Sequence, residues 1–151
     1  SRSRRLNEGV AAATGEFVAV LYSDDLMLPD KLARQVAMFD SLPPAVGVVY
    51  CPPIGFNQFT GARWTHPSHG IGGAMFPRWF TEHWRGHIDM SSPLTRRAHF
   101  LRRPWYEDLP FEGEAVFMRI ALDTDFHFDP VPTVMLRDHD ANAGKAIRRN
   151  T

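Results

Sequence analysis

The chain has 151 residues, 44% of them hydrophobic and 23% charged, which is ordinary for a globular protein with its own core. Acidic and basic residues balance at 17 each, so no overall field favours nucleic acid or an anionic membrane as a partner. Cys51 is the single cysteine, which excludes an internal disulfide and fits a reducing, cytoplasmic setting. No apolar run approaches the roughly 20 residues that a membrane-spanning helix needs.

The first forty residues predict a helix, a strand and a second helix. Leu6 and Val10 are spaced as on one helix face. The run Phe17–Tyr22 is apolar on both faces and too short for a helix, as expected for a central parallel strand. Pro29 suits the first turn of the next helix. The buried stripe of that helix is expected to consist of Leu32, Val36 and Phe39.

The rest of the chain predicts further alternation of strands and helices. Val46–Tyr50 predicts a second buried strand, and a Pro- and Gly-rich loop with a short hairpin around residues 60–61 follows it. Helices are expected at 76–83, 96–102 and 116–121, and strands at 88–94, 126–128 and 133–136. The predicted fold class is therefore α/β, and the whole chain, 1–151, is expected to form a single domain.

Asp24 and Asp25 are the first candidate site residues. A buried strand that ends in two carboxylates places hard oxygen ligands at the carboxyl edge of a sheet, where open α/β sheets bind ligands. Mn²⁺ or Mg²⁺ accepts one or two carboxylates together with substrate phosphates. The alternative is a turn followed by a helix N-cap, and taken alone the pair is more typical of that turn.

Two later segments carry further candidate groups. Glu112 and Glu114 precede a predicted helix, where a carboxylate either takes a proton from an attacking hydroxyl or simply favours the first helical turn. His139 either ligates a metal or contacts a phosphate, or is an ordinary loop histidine. Four tryptophans either stack on a sugar ring or belong to the core: Trp64, Trp79, Trp84 and Trp105. Arg96 and Arg97 either bind a diphosphate or are solvated helix residues.

The order of these motifs resembles glycosyltransferase family 2, which has the GT-A fold. Residues 7–32, with Thr-Gly-Glu, Ser-Asp-Asp and Pro-Asp-Lys-Leu in that order, are similar to the central block of the family. Met90–Arg97 resembles the strand and turn after the acceptor loop. Residues 109–114 resemble the Glu-Asp motif, and Val134–Asn142 resembles the terminal Tyr-Arg-x-His-x-x-Asn segment. The resemblance implies a partial GT-A, Rossmann-like mixed sheet flanked by helices.

The resemblance also implies a function and its residues. It implies a metal-dependent transferase that moves a sugar from a nucleotide-diphosphate donor to the hydroxyl of a glycan, a lipid or another acceptor, with inversion. Its metal motif is of the DXD-like type. The residues that it assigns are Asp25, Asp24 and His139 for Mn²⁺ or Mg²⁺, Asp24, Arg137 and His139 for the donor, and Glu112 or Glu114 as the base.

Three features depart from the family pattern. Tyr22 stands where many relatives have an acid, and Glu112-Gly113-Glu114 is offset by one residue from Glu-Asp. The family's N-terminal nucleotide-binding strands have no counterpart before Ser1. Without them Phe17–Tyr22 has an open edge, so we expect a truncated domain that forms a homo-oligomer or depends on a partner.

Two other interpretations remain open at this point. The first is a non-catalytic remnant of the fold that acts as a binding or assembly module. The second, which the motif order does not suggest, is an unrelated α/β metal phosphohydrolase.

Overall fold

The computed structural model describes residues 1–65, 70–81, 88–109, 113 and 115–142. The helices are α1 (Arg2–Ala12), α2 (Lys31–Ser41), α3 (Met75–Thr81), α4 (Arg97–Arg102) and α5 (Ala115–Ile120). The strands are β1 (Phe17–Ala19), β2 (Leu26–Met27), β3 (Val46–Tyr50), β4 (Ile54–Asn57), β5 (Arg63–Thr65), β6 (Leu94–Arg96), β7 (Asp125–Phe128) and β8 (Val134–Asp138). Over this part of the chain, no helix is both long enough and apolar enough to cross a bilayer.

The described strands form two mixed sheets of four strands each. The first has the order β1-β6-β3-β7, in which β3 and β7 are parallel and the other pairs are antiparallel. The second has the order β2-β8-β4-β5, in which only β8 and β4 are parallel. Helices α2 and α4 pack on the first sheet. The predicted α/β class with mixed sheets flanked by helices is confirmed, and it is consistent with a partial GT-A fold.

The prediction of a central parallel strand over Phe17–Tyr22 is wrong. Strand β1 covers only Phe17–Ala19 and pairs antiparallel with β6, its one partner among the described strands. The pairing ends at Ala19 opposite Leu94, and the chain then enters the turn that holds the two aspartates. The predicted strand at 88–94 is also wrong except at its last residue, because residues 89–92 form a turn and β6 begins at Leu94.

Helix α2 buries a different face from the predicted one. Phe39 is buried, as expected, and its ring stacks on that of Phe17 with the centroids 4.5 Å apart. Leu32 and Val36, however, are 48% and 38% exposed. The helix instead buries two polar side chains, Lys31 and Gln35, because both make hydrogen bonds inside the protein.

The core lies on both faces of the first sheet. Gly47 forms a bulge in β3, so Val48 and Tyr50 face one cluster and Val46 and Val49 face the other. The larger cluster includes residues of α4 and α5 and the Trp105 side chain, which is 2% exposed. The Trp105 ring stacks on Phe100 at 4.6 Å, which makes this tryptophan a core residue. The predicted hairpin around residues 60–61 is confirmed as β4 and β5.

Candidate functional site

A polar cleft of about 350 Å³ opens beside the turn that follows β1. The turn itself is closed by a hydrogen bond from the Asp25 N–H to the Tyr22 carbonyl, 3.1 Å long. Three other parts of the chain complete the wall: the start of α1, the turn at Asp89, and the end of β8 with the residues after it. The cleft is therefore built from segments that are far apart in the sequence.

Asp25 is half-buried at this cleft, and two different elements fix its carboxylate. The Ser91 hydroxyl donates to Oδ2 at 2.6 Å, and the Arg137 backbone N–H donates to Oδ1 at 3.3 Å. Burial raises the pKa of Asp25 above its ordinary value, with a smaller contribution from the charge of Asp24, while the two hydrogen bonds act in the opposite direction. The negative charge is thus incompletely compensated, which favours a cation nearby.

Asp24 is held by the segment that ends β8. The Arg137 Nε donates to the Asp24 carbonyl at 2.9 Å, and the guanidinium lies 5.2 Å from the centre of the Phe56 ring. Nε2 of His139 lies 3.2 Å from Oδ2 of Asp24, and the Asn142 side-chain amide lies 3.5 Å from the same oxygen. The predicted residues Asp24, Asp25, Arg137 and His139 therefore meet at one place, although positions 24 and 139 are 115 residues apart.

The hydrogen bonds of His139 assign the position of its ring proton. The Ala141 backbone N–H donates to Nδ1 at 3.2 Å, so Nδ1 is an acceptor. In the neutral imidazole the proton is then on Nε2, which donates to Asp24. In this arrangement the His139 ring orients the Asp24 carboxylate. Direct ligation of a metal by His139 stays a prediction.

Three residues at this site were missed from the sequence. Ser91 donates to Asp25, and Asp89 lines the cleft and accepts from the Ser91 N–H at 2.7 Å. The Arg2 guanidinium lies 5.6 Å from the centre of the Tyr22 ring, at the cleft wall. The local sequence Asp89-Met90-Ser91-Ser92 has no feature that distinguishes these residues from those of an ordinary polar turn. Glu112 and Glu114 lie outside the described residues.

Other candidates from the sequence have structural roles. Arg96 pairs with Glu16, and its guanidinium packs 4.9 Å from the centre of the Phe39 ring. Arg97 donates to two carbonyls at the end of α1. Neither arginine lines the cleft, so the structure does not support the prediction that Arg96 and Arg97 bind a diphosphate. Trp64 is 40% exposed on β5, and the side chains of Trp79 and Trp84 lie outside the description.

The two aspartates match a metal ion in number and chemistry. Among the described residues, no three His, Cys, Asp or Glu side chains are close enough to hold one ion between them. Mg²⁺ and Mn²⁺, however, take one or two carboxylates when a diphosphate and water supply the remaining ligands. Asp24 and Asp25 provide that set of hard oxygen donors at the edge of a cleft.

Comparison with known proteins assigns most of this site to one family. The sequence pattern of the family described as Glycosyl transferase family 2 matches residues 2–109, well over half of the chain. The matched part contains the Asp24-Asp25 turn, α2 and Ser91, and it ends before Glu112, Glu114 and β8. A comparison with curated proteins gave no match.

Proposed function

The chain belongs to glycosyltransferase family 2, and on this basis we propose that it transfers a sugar from a nucleotide-diphosphate donor to an acceptor hydroxyl at the cleft beside Asp24 and Asp25. One observation carries the proposal. Two adjacent carboxylates of the family-matched region line a polar cleft of about 350 Å³ that also contains Arg2 and Arg137. Carboxylates with arginines nearby suit a cation and an anionic diphosphate together.

Asp25, with Asp24 beside it, would hold Mn²⁺ or Mg²⁺ in this proposal. When bound, the cation neutralises negative charge that grows on the departing diphosphate. Ser91 and Arg137 keep the Asp25 carboxylate in one orientation, and His139 does the same for Asp24. Such support of metal ligands raises metal affinity, because less freedom is lost when the ion binds.

The transfer itself is proposed as a direct displacement with inversion. The acceptor oxygen bonds to the anomeric carbon while the bond from that carbon to the diphosphate oxygen breaks. The acceptor proton passes to a carboxylate base, for which Glu112 and Glu114 remain the candidates. The acceptor class, a glycan, a lipid or another hydroxyl compound, and the cytoplasmic location also stay predictions.

Titration with nucleotide sugars tests the proposed function. We expect UDP- or GDP-sugars to bind only with Mn²⁺, and Asp25→Asn to abolish that binding, because it removes the charge with little change in shape. Asp30→Asn is the matched control, since Asp30 is an exposed acid nearby whose side chain makes no capping hydrogen bond. A folded protein that binds no nucleotide sugar would indicate the binding or assembly module instead. Nucleotide hydrolysis that does not require a sugar would indicate a phosphohydrolase.

A further inference from the structure

Two buried polar side chains of α2 converge on one backbone carbonyl. Lys31 and Gln35 are one helical turn apart and face the same side. The Lys31 Nζ donates to the Ser92 carbonyl and to Oε1 of Gln35, both at 2.6 Å. Gln35 Nε2 donates to the Ser92 carbonyl at 3.0 Å and to the Val49 carbonyl at 3.3 Å. The helix therefore attaches to the Ser92 turn through two donors.

The same turn reaches the candidate site through its preceding residue. Ser91 is fully buried, and its hydroxyl donates to Asp25 Oδ2 at 2.6 Å. Its N–H donates to Asp89 Oδ1 at 2.7 Å, and the Ser92 N–H donates to the Asp89 carbonyl at 3.4 Å. The Ser92 carbonyl lies one residue along the chain from Ser91, in the peptide unit that Ser92 shares with Pro93. A movement of that carbonyl is therefore transmitted through the Ser92 backbone to Ser91, where it would change the bond to Asp25.

We propose that Lys31 and Gln35 are positioning residues, which hold the turn at 89–92 so that Ser91 fixes the Asp25 carboxylate at the cleft. The inference rests on the proposed function in one respect, namely that Asp25 binds the cation. Neither side chain touches the cleft, and each acts through Ser92 and Ser91.

The physical cost of this arrangement argues for a role in orientation. A buried ammonium loses its hydration, and burial lowers the pKa of Lys31 from 10.5 to about 8, with Cys51 and Asp89 opposing the change. An apolar side chain at this position would avoid that cost and would still fill the space, as buried charges are often replaceable by apolar groups without loss of stability. What an apolar side chain would not supply is a donor to the Ser92 carbonyl.

A set of variants tests the positioning role. Lys31→Met and Gln35→Met keep most of the volume and remove the donors to Ser92. We expect each to weaken Mn²⁺ binding by about 10-fold or more, the range found when partners of metal ligands are removed. In the Ser91→Ala background, Lys31→Met is expected to cause little further loss, because its route to Asp25 is already broken. If Lys31 acted on the cation site by a route that does not include Ser91, Lys31→Met would lower affinity by the same factor in both backgrounds.

Arg34→Met is the matched control for general destabilisation. Arg34 lies on the same helix and pairs with Asp129 at 2.6 and 2.8 Å, away from Ser92. Its removal should lower stability and leave Mn²⁺ affinity unchanged. If Arg34→Met weakens Mn²⁺ binding as much as Lys31→Met does, the positioning role is wrong.

Crystal structures of Lys31→Met and Gln35→Met make the test independent of the metal. The expected result is loss of the hydrogen bond from Ser91 to Asp25, with the rest of the fold retained. If the native protein binds no Mn²⁺, the proposed function fails, while the variant structures still decide whether Lys31 positions Asp25. Native Ser91–Asp25 geometry and native affinity in both folded variants would overturn the inference. If Lys31→Met does not fold, Gln35→Met decides alone.

Discussion

Because the ammonium of Lys31 is buried, we expect the free energy of unfolding of this protein to rise with pH in the alkaline range. The Lys31 pKa is about 8 in the folded protein and 10.5 in the reference state. Between these values the unfolded chain binds more protons than the folded protein, so the free energy of unfolding rises with pH. Below pH 8 both states are protonated and the penalty for burying the charge is fully present. It is relieved as pH rises through 8 toward 10.5.

The size of the effect follows from the same two values. They differ by about 2.5, and each pH unit corresponds to about 1.4 kcal/mol, which gives a limit of about 3 kcal/mol at high pH. Between pH 7 and pH 10 we expect a gain of about 2.5 kcal/mol, with most of the change above pH 8. Lys31 is fully buried, so solvent screening reduces this figure little.

Urea unfolding of the native protein and of Lys31→Met at pH 7, 8, 9 and 10 isolates the effect. Tyrosines and other groups titrate in both proteins, so the difference between the two free energies of unfolding reports Lys31. That difference should move in favour of the native protein as pH rises. Repeating the series in a Cys51→Ala background controls for the nearby thiol, whose pKa burial raises. A difference that stays flat from pH 7 to pH 10 would refute the reasoning, since Lys31 would then keep an ordinary pKa.

Three further predictions concern packing, a partly buried ion pair and association. Gly47→Ala should cost about 1–3 kcal/mol in urea unfolding, because the added carbon would overlap the His99 ring, whereas Gly9→Ala on the open side of α1 should stabilise by about 0.4–1 kcal/mol. Equal effects of the two changes would contradict this packing. Asp129→Asn should cost about 1.5–3 kcal/mol in urea unfolding, because the buried Asp129 carboxylate accepts two hydrogen bonds from the partly exposed Arg34, and an unchanged free energy of unfolding would contradict this. Strand β1 has a single partner among the described strands, so light scattering at micromolar concentration should show a dimer or larger species, and a monomer would count against it.

Local sequence patterns were sufficient for elements whose burial is uniform, and insufficient where burial depends on a distant partner. Val46–Tyr50 is buried at every position, so an apolar run identified it as a strand. In α2, Leu32 with Val36 and Lys31 with Gln35 occupy equivalent helical spacings, and hydrophobicity favoured the first pair. The structure buries the second pair, because the Ser92 carbonyl, 61 residues from Lys31, requires a donor there. Nothing in the sequence around Lys31 indicates that a distant carbonyl needs a hydrogen-bond donor at this position.

The same limit applies to the candidate site. Asp24 and Asp25 were identifiable because they follow an apolar run within a recognisable order of motifs. Ser91 became relevant only through its contact with Asp25, across 66 residues of sequence. A serine in a polar turn has many ordinary uses, so nothing in its surroundings distinguished it.

The hydrogen bonds of Asp25 show how the two halves of the chain combine at this cleft. One carboxylate oxygen accepts from Ser91, which α2 holds within the family-matched region, and the other accepts from Arg137 on β8, beyond that region. Each carboxylate oxygen has two lone pairs, so each retains one for a further partner. Ser91 lies in the turn before β6 of the first sheet, and Arg137 lies on β8 of the second sheet, so the relative position of these two anchors determines the orientation of Asp25. Cation binding at Asp25 is therefore expected to depend on how the two sheets pack, even though the aspartate itself lies in a short turn.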